Sequence, residues 1–214
     1  MPLSEPKDPA DRWQIAPKKF KVLKAIQDLF GMMQSNNIRA TSTKLLTQAF
    51  GWENNEAGQQ QDVHELNRIL FDALEQSLAG TEYESVIQQI FFGIQNNVIT
   101  CEVCKESRIK QDRFLDLGLQ VKGQKGVEDS LKDLFQFEQF TGNNQLTCES
   151  EICQGVKTDS SKGINIQKLP MVLTLCLYRF ELDYETWTRK KLDDRFDFPL
   201  ELDMYQYMSD EAKV

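Results

Sequence analysis

Thr100-Cys101-Glu102-Val103-Cys104-Lys105 and Thr147-Cys148-Glu149-Ser150-Glu151-Ile152-Cys153 hold four of the five cysteines of this chain. The pairs Cys101-x₂-Cys104 and Cys148-x₄-Cys153 have the form of two metal-binding knuckles, separated by a charged, turn-rich segment over 105–147. Two such knuckles on neighbouring hairpins can close a tetrahedral Zn²⁺ site, the architecture of a zinc ribbon. A structural site of that kind supplies roughly 10–16 kcal/mol of apparent metal-binding energy to a small subdomain. The first gap is the usual one and the second is wide, so a degenerate set of four free thiols stands as the alternative.

Composition narrows the chemistry around those thiols. The chain has 214 residues, with 25 Lys+Arg against 33 Asp+Glu and a formal charge of −8. That balance argues against nucleic acid or an anionic membrane as a general partner and permits a basic one. An odd cysteine count without an apolar secretory segment favours reduced thiols, hence a cytoplasmic or nuclear protein. His64 is the only histidine, so any Cys/His or Ser/His chemistry within the chain must use it. The remaining thiol, Cys176, lies in an apolar run where burial would raise its pKa, which makes it an inert core residue rather than a nucleophile. His64 then reads as a helix-surface residue or a local hydrogen-bond partner.

Outward from the knuckles, residues 1–17 carry Pro2, Pro6, Pro9 and Pro17 and read as a loose leader. Phe20, Leu23, Ile26, Leu29, Phe30 and Met33 recur at helical spacing, predicting a helix that ends near Asn36-Asn37. A short helix follows, capped by Ser42 or Thr43 and stopped by Gly51. A third runs from about Gln60 to Leu78, with Val63, Leu66, Leu70, Ala73, Leu74 and Leu78 on its buried stripe and Gly80 as its stop. Asp62 and Glu65 fall in its first turns, where carboxylates stabilise the helix dipole by about 0.3–1 kcal/mol each. Past the apolar stretch Val86 to Phe92, the alternation of Leu115, Leu117, Leu119 and Val121 predicts a half-buried strand. A short helix around Val127, Leu131, Leu134 and Phe135 leads to a turn at Gly142-Asn143-Asn144. Met171 to Tyr178 is apolar on both faces and reads as a central strand, and a further strand-like piece ends at Phe196-Asp197-Phe198-Pro199.

Gln60-Gln61-Asp62-Val63-His64-Glu65-Leu66, the two cysteine pairs, Leu169-Pro170 leading into Leu177-Tyr178-Arg179-Phe180, and Phe196-Asp197-Phe198-Pro199 stand in one order. From about Phe20 to Met204 the chain thereby resembles the middle of the ubiquitin-specific protease catalytic domain. The resemblance implies an incomplete α+β, papain-like hand, with a helical thumb over 18–95 and zinc-ribbon fingers plus palm over 96–214. It implies ubiquitin and ubiquitinated proteins as partners of a monomer, with Asp62 and Glu65 meeting the basic ubiquitin tail and Phe180 lining the tail channel. Glu181 to Lys191 resemble a loop that covers the tail. Zn²⁺ on Cys101, Cys104, Cys148 and Cys153 is the implied cofactor.

The family's Cys box, Gly-Leu-x-Asn-x-Gly-x-x-Cys-Tyr-x-Asn, has no counterpart here, because no cysteine precedes Cys101. Its Gly-His-Tyr box has none either. Thiol proteolysis needs a thiolate and a base within hydrogen-bond reach, so this chain alone is expected to bind ubiquitin without cleaving it. It is either part of an active deubiquitinase or a zinc-ribbon adaptor that has lost the chemistry. Its two-sided apolar strand would be an aggregation hazard if left unpaired.

Overall fold

The third of the expected helices begins its described course at Val63, and its buried line is narrower than the apolar spacing suggests. The computed structural model describes residues 18–35, 40–51 and 63–213, which divide into two compact units, Met1–Ile87 and Gln88–Val214. The leader, Gln60, Gln61 and Asp62 lie outside the described residues.

The first unit is helical. α1 (Lys18–Gln34) packs against both α2 (Lys44–Ala49) and α3 (Val63–Leu78). Thr43 occupies the N-cap position without a side-chain cap bond, and the Ser42 hydroxyl one residue earlier accepts from the Lys44 N–H at 3.2 Å. Gly51 and Gly80 turn the chain at φ 85° and 76°, values that cost a side chain strain and glycine none. On α3 the fully buried residues are Phe71, Leu74 and Ser77, whereas Val63 is 67% exposed. The expected stripe therefore shifts by one position at its C-terminal end and does not reach the first turn. On α1 it is Val22 and Ala25 that are buried, while Phe30 and Met33 face out.

α4 (Val86–Phe91) spans the boundary and delivers the chain to β1 (Gly93–Cys101), the axis of the second unit. β1 pairs antiparallel with β2 (Ser107–Phe114), Gly93 opposite Phe114 and Thr100 opposite Ser107. After β3 (Asp116–Gln120), α5 (Val127–Leu134) and β4 (Glu138–Phe140), the hairpin of β5 (Leu146–Cys148) and β6 (Val156–Thr158) runs into β7 (Ser160–Lys168). β7 lies on the other side of β1, giving the sheet order β2-β1-β7-β4. Cys101 is opposite Ser160 in that register, so the end of β1 is fixed beside the hairpin that precedes β7. β2 is an edge strand blunted by Arg108, Lys110, Asp112 and Arg113.

The core sits at the other end of this unit. Leu119, Val121, Leu131 and Ile166 are completely buried, with Phe114, Phe135, Phe196, Met204 and Tyr207 around them. Phe135 stacks on Tyr207 at 4.8 Å between ring centres. The alternation expected for the strand around Leu117 is what places Leu117, Leu119 and Val121 on one buried face.

The apolar run at 171–178 departs from expectation. Only Thr174–Tyr178 forms a strand, β8, paired in parallel with β3, and Met171 is 80% exposed. Pro170 and the bend after it keep the first three apolar residues out of the ladder. β8 is thus one half of a two-stranded pair and not the centre of a sheet among the described residues. β9 (Phe180–Asp183) and β10 (Thr188–Lys191) form an exposed hairpin. Around Phe196-Pro199 there is no strand, but a single bridge of Asp197 to Gly126. That bridge is tight: the Val127 N–H donates to the Asp197 carbonyl at 2.9 Å, and a Cβ on Gly126 would meet the same oxygen at 2.4 Å.

Two substitutions test this packing by urea unfolding. Leu131→Ala, at a fully buried position, should cost about 2–5 kcal/mol. Gly126→Ala should cost about 1–3 kcal/mol by forcing the Asp197 backbone away, whereas Gly31→Ala, in open space on α1 and outside the left-handed region, should cost nothing.

Candidate functional site

Each cysteine knuckle is a short turn closed by its own backbone. In the first, the Lys105 N–H donates to the Cys101 carbonyl at 2.9 Å and the Cys101 N–H to the Glu106 carbonyl at 3.0 Å, with Lys105 at φ 61°. The wide second gap is taken up by one helical turn, the Gln154 N–H donating to the Ser150 carbonyl at 2.8 Å. Gln154 and Gly155, at φ 52° and 81°, then reverse the chain into β6. A gap of four residues therefore costs the site nothing in convergence.

The four sulfurs lie within 4.8 Å of one another. Cys101 and Cys153 are 3.9 Å apart and Cys104 and Cys148 3.7 Å, each pair joining opposite knuckles. These separations are far too long for a disulfide, whose sulfurs stand about 2.05 Å apart. A tetrahedron with metal–sulfur bonds of about 2.3 Å has edges of about 3.8 Å, and both distances fit it. The residues present could hold a metal ion.

Electrostatics divides the thiols. The Thr158 hydroxyl at 3.2 Å, followed by the Cys104 backbone N–H, holds Cys101 down from 9.0 to about 6. Ser150 draws Cys148 down in the same way. Cys153 also feels the Ser150 hydroxyl, but burial and the neighbouring thiols outweigh it and push the group up to about 12. Four thiols this close cannot all ionise without a cation, and a dication removes that conflict. Ser150 and Thr158 were not legible as site residues in the sequence; the only hint was that a four-residue gap needs a polar residue to satisfy its turn.

Elsewhere the expected site residues are more dispersed. Glu65 is exposed in the first turn of α3, and Asp62 lies outside the described residues. Phe180 opens β9 opposite Lys191 and is 63% exposed. Beside it the Arg179 guanidinium donates to the carbonyls of Leu192 at 3.3 Å and Asp194 at 3.2 Å, and lies over the Phe196 ring at 6.0 Å. The hairpin beyond is held by Asp183, whose carboxylate accepts from the N–H groups of Glu185 and Thr186 at 2.9 and 3.2 Å. Those two donors, Thr186 first, keep Asp183 ionised below its usual range. Tyr184 and Trp187 stand out from the hairpin in edge contact. Cys176 is buried in β8 as expected.

Against this geometry, the chain matches the ubiquitin carboxyl-terminal hydrolase family over residues 4–214. It belongs to that family. The ubiquitin carboxyl-terminal hydrolase 47 of Drosophila melanogaster is 36% identical over 190 residues, covering 86% of this chain and 12% of that protein. The Homo sapiens protein of the same name is 38% identical over 192 residues, 87% of this chain and 14% of that protein. The ubiquitin C-terminal hydrolase 12 of Arabidopsis thaliana is 38% identical over 192 residues, 88% of this chain and 17% of that protein. The chain thus spans less than a fifth of each of these relatives. Among solved structures, the SAGA Ubp8/Sgf11/Sus1/Sgf73 DUB module bound to ubiquitin aldehyde superposes with a TM-score of 0.75 at 27% identity, over 94% of this chain and 46% of that one. The ubiquitin-specific protease fold and the thiol-protease family follow from these likenesses. Among the described residues no helix is long and apolar enough to cross a membrane.

Protein purified without chelator should carry one equivalent of metal, and Cys104→Ser or Cys148→Ser should each abolish it, as read by elemental analysis. Loading should fall as the pH drops, because protons compete with the ion for all four thiols.

Proposed function

We propose that this chain is the ubiquitin-gripping portion of a cysteine-type deubiquitinase catalytic domain, whose reaction is hydrolysis of the isopeptide or peptide bond at the ubiquitin C-terminus. The carrying observation is the four-sulfur cluster at the tip of the β1-β2-β7 sheet, with separations that suit a tetrahedral ion. The ion is Zn²⁺, closed on Cys101, Cys104, Cys148 and Cys153 with no open position, hence structural. Residues 18–95 act as thumb and 96–214 as fingers and palm.

Glu65 and Asp62 take the basic ubiquitin tail, since carboxylates accept guanidinium groups in forked, charge-assisted hydrogen bonds. Phe180 lines the tail channel, and the exposed hairpin Glu181 to Lys191 covers it. The charge of −8 suits a basic tail and disfavours nucleic acid or an anionic membrane. Reduced thiols suit the cytoplasm or nucleus, where it acts as a monomer. Chemistry needs a thiolate and a base in contact. Four cysteines are committed to the metal and Cys176 is buried, so the nucleophile and base lie outside these residues, and this chain alone is inactive. The second reading is a zinc-ribbon adaptor that binds ubiquitin and never cleaves it, supported by the gathering of four of the five thiols into one cluster with Cys176 buried apart from it.

Titration of the chain with ubiquitin should show binding that Glu65→Arg weakens about tenfold, the ~1.4 kcal/mol of a charge-assisted hydrogen bond, and that Phe180→Ala also weakens. An electrophilic ubiquitin probe should label no thiol of this chain. Absence of binding at high micromolar ubiquitin would overturn the reading, and labelling would overturn the inactive state. If the gene carries Cys and His boxes on either side, the adaptor reading falls.

A further inference from the structure

Two hydroxyls stand inside the sulfur cluster. Ser150 Oγ accepts from the Cys153 N–H at 3.2 Å and donates to Cys104 Sγ at 3.4 Å; the Cys148 thiol lies against it at 3.3 Å. The backbone N–H occupies the oxygen's acceptor side, which turns its single proton toward sulfur. Cys104 and Cys148 belong to opposite knuckles, so one hydroxyl stands between the two. Thr158 Oγ1 lies 3.2 Å from Cys101 Sγ, at the end of β6 beside the Cys101–Ser160 register, and the residue is only 6% exposed. Three of the four sulfurs therefore face a hydroxyl.

Four thiolates around a dication leave an excess of two negative charges in a site that is half or wholly buried. Such charge must be spread into hydrogen bonds or it weakens the site. We propose that Ser150 and Thr158 are positioning residues of the metal centre: the Ser150 O–H donates to the thiolate of Cys104, beside Cys148, and the Thr158 O–H to that of Cys101, bracing the two knuckles together and raising the affinity for the ion. The inference rests on the metal reading given under the proposed function. It adds that the wide knuckle is functional, since a two-residue gap would leave no room for the turn that carries Ser150.

Cobalt(II) binding to the full chain, followed by its thiolate charge-transfer band and by competition with a chromophoric chelator, tests this. Ser150→Ala and Thr158→Val should each lower the affinity 10–100-fold and move the band to lower energy, because a sulfur without a hydroxyl donor gives up electron density more readily. Ser150→Thr and Thr158→Ser keep the hydroxyl and should stay within about threefold of the parent, with the band unmoved. Unchanged affinity and band in Ser150→Ala and Thr158→Val would overturn the proposal and leave the metal reading intact. Equal losses in the hydroxyl-keeping variants would reduce the role to packing and also overturn it. A parent chain that gives no tetrahedral thiolate band would overturn the metal reading, and this inference with it.

Discussion

The pairing of β1 with β7, Cys101 against Ser160, is the constraint on which the rest of the second unit depends. The two knuckles are far apart in sequence, and nothing local to either brings them together. β1 presents the first at its C-terminal end; β6 runs into β7 and presents the second at the start of the neighbouring strand. The Glu102 N–H donating to the Asp159 carbonyl at 2.9 Å extends the ladder one step past the strands. A register slip of one residue would turn every side chain to the opposite face, and Cys101 would point away from Cys153.

What holds that end together differs from what holds the other. Near Leu119 and Leu131, fully buried aliphatic and aromatic side chains each contribute about 1.5–3 kcal/mol. At the knuckle end the buried residues are Cys101, Cys153, Thr158, Ser160 and Ser161, while the aliphatic candidates Val103, Ile152 and Val156 are 60–68% exposed. Thiols and hydroxyls cannot supply by apolar burial what roughly 10–16 kcal/mol of metal binding can. The tip is therefore the part of the fold most dependent on the proposed ion, and the Arg108–Glu149 pair at 2.6 Å, with both side chains largely exposed, adds little to it.

This difference also explains what the sequence disclosed. Periodicity located the helices around Phe20, Leu70 and Leu131 and the strand around Leu119, because each buries a regular stripe; the short helix around Leu45 buries no residue and was legible from Ser42 or Thr43 before it and Gly51 after it. It misjudged Val63 and Met171, which are apolar but exposed, since a pattern cannot say whether anything covers it. The long strands β1, β2 and β7 left almost no periodic trace: β2 is charged on both faces as an edge strand, and β1 buries Asn96 through amide bonds to Asn165 at 2.9 Å and Gln167 at 3.1 Å instead of through apolar contact. The cysteines were legible from spacing, the hydroxyls beside them were not, and the order of motifs carried the family where periodicity failed.

The same logic bears on the division of labour in ubiquitin recognition as proposed here. Glu65 lies in the first turn of a helix, an end where carboxylates are generally favoured. Phe180 is different. Arg179, its neighbour, is committed to the Leu192 and Asp194 carbonyls and to the Phe196 ring, and Lys122 pairs with Glu181 at 2.7 Å. The flanking charges being taken, the base of the hairpin presents Phe180 as an aromatic face between fixed neighbours. A partner entering there meets a surface organised by backbone carbonyl clamps and not by mobile charges, which suits recognition by shape.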